Sequence, residues 1–280
     1  MSSLSGAVIL PELHRTLLFK NRDLNAAADH KDQLFYDIDC FGVKGKNTVT
    51  GEMGGLTVGV NRYGLAVANS HVKDTADPSC HVLTEQILMF AKDAEDGLSM
   101  TADYLKSGRK YQWSNIVLAD LDSLLVIEVA GDQHSIEWSE RRVLRTNHHF
   151  MLDTEDELRK YYAASGSGDG YDISMKRAER GYALMKEIHS VNDVFRLLRD
   201  HTPEPGQSSL CKHATRPEEF ATVTSYVVEI NHQLDTVKPK ILFHVAAGSP
   251  CKAQFRAVPL VFPADEEIMK RAMTIYHGSA

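Results

Sequence analysis

Polar side chains collect in short segments that follow or close apolar runs of the sequence. These segments are Lys20-Asn21-Arg22-Asp23, Asn69-Ser70-His71, Asn147-His148-His149 and the stretch from Ser208 to His213. Any one of them is typical of a solvated turn, because Asn and Asp bond to nearby backbone and favour turns. Several such clusters at strand ends favour a functional site, since binding and catalytic groups are often carried where a rigid element ends.

The sequence gives little support for a metal site, a phosphate-binding loop or a serine nucleophile elbow. His148, His149 and His213 could be metal ligands, but no spacing typical of a metal site supports this, so we expect no metal and no cofactor. Gly54-Gly55 precedes a predicted strand instead of joining a strand to a helix, which argues against a phosphate-binding loop. The segment Gly166–Gly170 lacks the strand that must precede a serine nucleophile elbow.

Hydrophobic periodicity predicts runs of strands that alternate with runs of helices. Strands are predicted over 6–10, 16–20, 56–60, 64–68, 114–119, 123–129, 133–138, 221–230, 241–247 and 253–260. Helices are predicted from Thr84, which could cap the first one, and over 99–105, 174–189 and 190–201. Residues 24–50 are predicted to form a long loop, and so is the Gly/Ser-rich stretch 165–170. Runs of each kind favour an α+β fold.

Length and composition exclude several classes of protein. The 280 residues are 43% hydrophobic, which supports a folded core and a single domain over 1–280. A net charge of -7 argues against nucleic-acid binding. No apolar run reaches the length of a membrane span, and the first residues lack the pattern of a signal peptide. The 4 cysteines form no Cys-x-x-Cys pair, so we expect a reducing, cytoplasmic setting.

The order of the polar segments resembles that of a known enzyme family. The matching stretches are 18–23, 55–69, 144–150, 209–213, 222–225 and 248–251. Together they resemble the N-terminal-nucleophile (Ntn) hydrolases that act on linear amides, and most closely the acyl-CoA:6-aminopenicillanic acid acyltransferases (peptidase family C45). Choloylglycine hydrolases and secernins are related to these. The resemblance covers about residues 5 to 255.

This resemblance implies a fold and a mechanism. The fold would be a four-layer αββα sandwich of two antiparallel sheets. The nucleophile would be the first residue of the mature chain, with its own α-amino group as the base, since an α-amino pKa of about 7.7–8.0 is close to neutral.

The resemblance also assigns roles to individual residues. Asp23 would hold the amine of the nucleophile, with Lys20 as a nearby cation. Asn69 would help to form the oxyanion hole, and Asn147 would be a second amide near the nucleophile. Lys212 would contact substrate. Lys20 and Lys212 stand where relatives carry Arg, so they keep the charge but lose the planar fork that suits carboxylates.

The nucleophile itself departs from the family pattern. Most relatives use Cys, but the first cysteine here is Cys40, which follows Asp23 instead of preceding it. Ser2, Ser3 and Ser5 lie at about the right distance upstream. Ser2 needs only removal of Met1, whereas Ser3 or Ser5 would need a further cut, and Ser5 begins the apolar strand most directly.

Two hypotheses of function follow. The first is an amidohydrolase or acyltransferase for the C–N bond of a small acylated molecule. The second is a non-catalytic relative that binds a small acylated ligand or a partner, which the missing cysteine would favour. Retention of Asp23, Asn69 and Asn147 favours the enzyme, because a protein that has lost catalysis needs no oxyanion amide. In either case we expect no nucleic-acid or membrane partner, and a homo-oligomer is one expectation because relatives are often oligomeric.

Overall fold

Two antiparallel sheets packed face to face form the centre of the protein. The computed structural model describes residues 2–25, 32–47, 50–202, 204–232 and 238–277, without the side chains of Ser2 and Ser3. Sheet A has 6 strands, which in spatial order are Arg142–Arg145, Ser2–Leu10, Arg15–Asn25, Phe220–Asn231, Lys240–Ala247 and Arg256–Leu260. Sheet B has 7 strands, which lie side by side in the order in which they occur along the chain, from Leu34–Tyr36 to Gln133–Ser139. All described strand pairs are antiparallel.

The strands and helices have the following bounds. The strands are β1 Ser2–Leu10, β2 Arg15–Asn25, β3 Leu34–Tyr36, β4 Cys40–Lys46, β5 Met53–Asn61, β6 Ala66–Lys73, β7 Tyr111–Ala119, β8 Leu124–Gly131, β9 Gln133–Ser139, β10 Arg142–Arg145, β11 Phe220–Asn231, β12 Lys240–Ala247 and β13 Arg256–Leu260. The helices are α1 Cys80–Phe90, α2 Ala94–Lys106, α3 Glu155–Ala164, α4 Gly170–Met185, α5 Val191–Leu198 and α6 Glu266–His277. No helix in these ranges is long and apolar enough to cross a membrane.

Alternating side chains of the strands supply three hydrophobic layers. Between the sheets lie residues such as Ala7, Leu18, Val117 and Phe243. The opposite face of sheet B packs on α1 and α2, and the opposite face of sheet A packs on α4 and α5. Because successive strand residues point to opposite faces, each buried strand contributes side chains to two of these layers. The result is the four-layer αββα sandwich that the resemblance implied.

The predicted loop over 24–50 is wrong in its described part. It contains β3 and β4, which pair with each other and extend sheet B beyond β5. Gly42 and Gly45 interrupt the apolar pattern of β4, so the sequence pattern does not predict this strand. A Cβ at position 42 would lie 2.9 Å from the Leu56 side chain, so the glycine is needed for close packing between strands.

The first helix also begins earlier than predicted. Ser79 caps α1, since its side chain accepts a hydrogen bond from the backbone of His81. Thr84 lies inside the helix, where its hydroxyl donates to the carbonyl of Cys80. Gly55 has a φ of 67°, and a Cβ there would lie 2.2 Å from the backbone of His81. Gly55 is therefore required by the close approach of β5 to α1.

Candidate active site

The N-terminal end of β1 lies beside the polar end of β2. In the register of these strands, Ser2 is opposite Asp23 and Ser5 is opposite Lys20. On its other side, β1 pairs with β10, which leads directly into Asn147. The sheet therefore brings the start of the chain next to two of the predicted site residues.

Asp23 is a fully buried carboxylate with two different partners. Thr222 on β11 donates its hydroxyl to Oδ1 at 2.7 Å. Arg177 on α4 donates from Nη2 to Oδ2 at 3.4 Å, and neither side chain of this ion pair has exposed surface. A buried carboxylate needs such partners because an isolated charge in the interior is very unfavourable.

Arg177 links Asp23 to Asn147. Its Nη1 donates to Asn147 Oδ1 at 2.8 Å, while Asn147 Nδ2 donates to the backbone carbonyl of His71 at 2.6 Å. The backbone N–H of Asn147 donates to Ser174 Oγ at 2.8 Å. The Asn147 side chain is thus fixed between sheet A, sheet B and α4.

A buried glutamate fixes the chain just after Asn147. Glu128 on β8 accepts hydrogen bonds from the backbone N–H groups of residues 150–152 at 2.7, 2.8 and 3.0 Å, and it pairs with Arg145 at 3.1 Å. Burial raises the pKa of Glu128, but Arg145 and the three N–H groups outweigh this, so its pKa lies below the ordinary value. Glu128 is therefore an anion at neutral pH.

Lys20 and Asn69 form a second group on the opposite face of β2. The Lys20 ammonium donates to the backbone carbonyl of Asn69. The Asn69 side chain turns towards α1, where Nδ2 lies 2.8 Å from Thr84 Oγ1, 3.1 Å from His81 Nδ1 and 3.2 Å from the Leu56 carbonyl. The Asn69 amide thus joins β6 to β5 and α1 in this structure, and its predicted role in an oxyanion hole stays a prediction.

Lys212 lies on the Asp23 side of the site. Its backbone N–H donates to Thr222 Oγ1 at 2.8 Å, and the Thr222 N–H donates to the Lys212 carbonyl at 3.1 Å. The same Thr222 hydroxyl donates to Asp23. The structure therefore brings Asp23, Asn147 and Lys212 together through Arg177 and Thr222.

The site is rich in buried basic groups, and burial disfavours their charged forms. Burial, and then repulsion by Arg22, lower the pKa of Lys20 to about 7, although Asp23 opposes this. Burial and repulsion by Arg177 likewise lower the pKa of Lys212 to about 7. Burial also lowers the pKa of Arg177 from its ordinary value. The surrounding cations would lower the pKa of a base placed here and so favour its neutral form.

Ser5 lies deeper in the strand than Ser2. It is fully buried, and Oγ has no hydrogen-bond partner among the residues that the structure describes. Residues Ser2 to Leu4 precede it in β1 and pair with β2. Ser5 is therefore an internal residue of a strand with neighbours on both sides, whereas Ser2 is opposite Asp23.

Sequence reasoning missed two residues that connect this site. Arg177 lies in a helix in which Lys176, Arg177 and Arg180 all occur, so its sequence neighbourhood suggests an ordinary charged helix face. The spacing of the buried residues Ser174, Ala178 and Gly181 on the same helix is the one signal that Arg177 faces inward. Thr222 belonged to a matching stretch but had no assigned role. Its role depends on pairing between β2 and β11, which are far apart in sequence.

The described residues also contain one group that could hold a metal, at the edge of this site. It consists of His201, Cys211, His213 and Cys251. Sequence analysis predicted no metal because these residues show no recognised spacing along the chain, and only the fold brings them together.

Comparison with known proteins agrees with this architecture. The sequence model of the acyl-coenzyme A:6-aminopenicillanic acid acyl-transferase family matches residues 12–237. The chain belongs to this family. A search of curated protein sequences finds no significant match.

Two solved structures of other proteins have the same fold as this chain. Penicillin V acylase from Agrobacterium tumefaciens superposes with a TM-score of 0.53 at 14% identity, covering 92% of this chain and 86% of that one. A variant of conjugated bile acid hydrolase from Clostridium perfringens gives 0.50 at 9% identity, covering 94% and 99%. Both are Ntn hydrolases, so the predicted fold is confirmed.

The first prediction concerns Lys20→Met and the pH dependence of stability. The folded protein holds the pKa of Lys20 at about 7, against an ordinary value of 10.5 when the chain unfolds. Between these values the unfolded state binds more protons, so the free energy of unfolding rises with pH, by at most about 1.4 kcal/mol per pH unit for one such group. Lys20→Met should therefore flatten the rise in stability from pH 7 to 9.5, measured by urea unfolding.

The exposed Lys186 provides the matched control for this experiment. Lys186→Met should leave the slope unchanged. An equal slope in wild type and Lys20→Met would mean that the amine of Lys20 keeps an ordinary pKa.

The second prediction separates two roles of Asn69. Asn69→Ala removes buried hydrogen bonds to Thr84 and Leu56 and should lower the free energy of unfolding by about 1–3 kcal/mol. An additional role as oxyanion donor should lower kcat about 10²- to 10³-fold with little change in KM. Both quantities should be measured on the same preparation.

Asn61 is the control for Asn69, because it ties the other end of α1 to β5. Its Nδ2 donates to the carbonyls of Leu88 and Ala91 at 3.1 and 2.8 Å. Asn61→Ala should cost similar stability and leave kcat unchanged. If Asn69→Ala behaves in the same way, the oxyanion role of Asn69 is refuted.

Proposed function

We propose that the protein is an Ntn amidohydrolase or acyltransferase in which Ser2 is the nucleophile, acting on the amide bond of a small acylated molecule. The observation that carries this proposal is the strand register, which pairs Ser2 with Asp23 at the start of β1. The carboxylate of Asp23 is held by Thr222 and Arg177 and can orient an α-amino group beside it. Membership of an acyltransferase family supports the same class of reaction.

In the proposed mechanism the α-amino group of Ser2 is the base. After Met1 is removed, this amine takes the proton of the Ser2 hydroxyl as Oγ attacks the amide carbonyl. The tetrahedral intermediate then expels the amine of the substrate, which receives that proton, and leaves an ester on Ser2. Water or a second amine attacks the ester and regenerates the free hydroxyl.

Electrostatics supports this choice of base. Arg177, and Lys20 when it is protonated, place positive charge near the start of β1, and like charge lowers the pKa of a neighbouring amine. Asp23 acts in the opposite direction but offers a fixed acceptor for an N–H of the amine. In the proposed mechanism the positive charges keep the α-amino group of Ser2 neutral at neutral pH, and Asp23 orients it.

Asn147 is the proposed amide donor closest to this network. Arg177 fixes its side-chain oxygen and the carbonyl of His71 fixes its nitrogen, so the amide has one defined orientation. A fixed donor stabilises the charge that develops on the carbonyl oxygen without reorganising during the reaction. Lys212 is the proposed contact for polar groups of the substrate.

The strand register supports Ser2 over Ser5. Ser5 would become an N-terminal residue only after removal of residues that pair with β2, and its partner in the register is Lys20 instead of Asp23. Ser3 is opposite Arg22. Only Ser2 combines a single processing step with a carboxylate on the neighbouring strand.

The alternative is a non-catalytic relative that binds a small acylated ligand or a partner. The feature that favours it is the absence of cysteine before Cys40, since most relatives use a thiol nucleophile. Intact mass separates the two hypotheses. The enzyme requires loss of Met1, whereas retention of Met1 in purified native protein would block the base and favour the binding function.

The third prediction is that Asp23→Asn leaves a folded protein with little activity. The neutral amide cannot orient the α-amino group with the same charge, so turnover in a screen of acyl amides should fall by at least about 10²-fold. Glu229 is the matched control, as a buried strand carboxylate that pairs with His244 at 2.8 Å outside the site. Glu229→Gln should keep its activity, and near-normal turnover of Asp23→Asn would remove Asp23 from the mechanism.

The fourth prediction concerns the N-terminus. A fusion cleaved immediately before Ser2 should give active protein whose rate rises with pH through an apparent pKa below about 7.7–8.0, the ordinary range of an α-amino group. An uncleavable extension before Ser2 should abolish turnover without changing the melting temperature. Ser2→Cys should keep or raise the rate, because a thiol is the better nucleophile at neutral pH. Full activity of the extended protein would rule out Ser2.

A further inference from the structure

Four side chains with metal-binding atoms meet at the edge of the candidate site. His201 follows α5, Cys211 and His213 lie in the segment before β11, and Cys251 follows β12. One ligand atom from each of these residues lies within 4.8 Å of all the others. Cys211 is fully buried and the other three are partly buried. Separate segments of the chain thus bring these four side chains together.

The distances within the group suit a tetrahedral metal ion. Cys211 Sγ and Cys251 Sγ lie 3.7 and 3.6 Å from His213 Nε2. Zn–S bonds of about 2.3 Å and Zn–N bonds of about 2.0–2.1 Å at tetrahedral angles place sulfur and nitrogen about 3.6 Å apart. The Nε2 atoms of His201 and His213 are 2.9 Å apart, so a small ring rotation would admit the ion.

We propose that His201, Cys211, His213 and Cys251 bind a structural Zn²⁺ ion. Two thiolates and two imidazoles are a donor set that selects zinc over harder cations such as Mg²⁺ or Ca²⁺. The charges also balance, since two thiolates neutralise the ion in a partly buried place. All four positions are filled by protein, as is typical of a structural site and not of a catalytic one.

A disulfide between Cys211 and Cys251 explains less of the geometry. Both cysteines are free thiols in the structure. A disulfide would not explain why His213 Nε2 approaches both sulfur atoms while His201 Nε2 lies 2.9 Å from it. A simple hydrogen bond between His201 and His213 would likewise leave the approach of both thiols to His213 unexplained.

Neighbouring groups hold the ligands in place. Ser249 Oγ lies 3.2 Å from Cys251 Sγ and 3.6 Å from Cys211 Sγ, where its hydroxyl can donate to a thiolate. Arg199 donates to the carbonyl of Pro250 at 2.8 Å and so fixes the segment that carries Cys251. Such outer contacts orient the ligands of metal sites and tune their basicity.

The proposed ion would also stabilise the catalytic surroundings. Cys211 and His213 flank Lys212, whose backbone is bonded to Thr222. Thr222 in turn donates to Asp23. The zinc ion would therefore stabilise the segment that holds the Asp23 carboxylate. It would do so without contacting the reacting groups.

The test is metal content and spectroscopy of tag-free protein expressed with added zinc under reducing conditions. We expect about one zinc ion per chain by elemental mass spectrometry, and a lower melting temperature after removal by a chelator. Cobalt added to the apo-protein should give the visible absorption of tetrahedral Co²⁺ together with a sulfur-to-metal charge-transfer band. Neither measurement depends on enzymatic activity.

Paired variants locate the site. Cys211→Ala/Cys251→Ala should lose the zinc and the charge-transfer band, whereas Cys40→Ala/Cys80→Ala, which removes the other two cysteines, should keep both. If the first variant does not fold, cobalt titration of the wild type still decides the question. Zinc retained without Cys211 and Cys251, a stoichiometric metal other than zinc, or metal-free wild type with no cobalt spectrum would each overturn the proposal.

Discussion

The buried ion pair of Asp23 and Arg177 is the interaction on which the candidate site depends. Neither side chain reaches solvent, and the pair joins β2 of sheet A to α4 in the outer helical layer. Desolvation of two such charges costs several kcal/mol each, so the pair is tolerable only with further hydrogen bonds. Thr222 supplies one to the carboxylate and Asn147 accepts one from the guanidinium. The positions of Thr222 and Asn147 in the site follow from satisfying these two charges.

Buried basic groups around the Asp23 carboxylate give the site its chemical character. Lys20 and Arg177 are buried close to the start of β1, with Asp23 as the nearby counter-charge. Such an environment disfavours a further protonated amine and favours an anionic intermediate. Both effects serve a mechanism in which an α-amino group must be neutral and a carbonyl oxygen must become negative. Protonated Lys20 is an energetic cost to the folded state, which is why stability should rise with pH above 7.

Sequence analysis predicts more of the fold than of the site. Apolar runs separated by turn residues predicted the hairpin of β1 and β2 and the meander from β7 to β9, and the structure confirms both. Glycines in β4 hid a strand, because a residue without a side chain breaks the alternation that pattern analysis detects. The residues that link the site are also hidden. Arg177 reaches Asp23 from 154 positions away, and no local pattern records such a contact.

The order of the polar segments carried the family resemblance, but not the way in which their side chains interact. Asn69 illustrates this difference, since its amide faces α1 while its backbone carbonyl accepts from Lys20. The Cys/His group illustrates it further. Its four members come from three separate segments, and their relation exists only after β11 and β12 have paired.

Trapping of the acyl-enzyme tests the central claim most directly. Protein with a free Ser2 should be mixed briefly with a panel of activated acyl esters, quenched in acid and mapped by peptide mass spectrometry. Acid protonates the α-amino group and so prevents migration of the acyl group from oxygen to nitrogen. The account predicts one acyl group on Ser2, absent in Ser2→Ala and retained in Ser5→Ala. An acyl group on Ser5, or stoichiometric labelling that survives in Ser2→Ala, would contradict it.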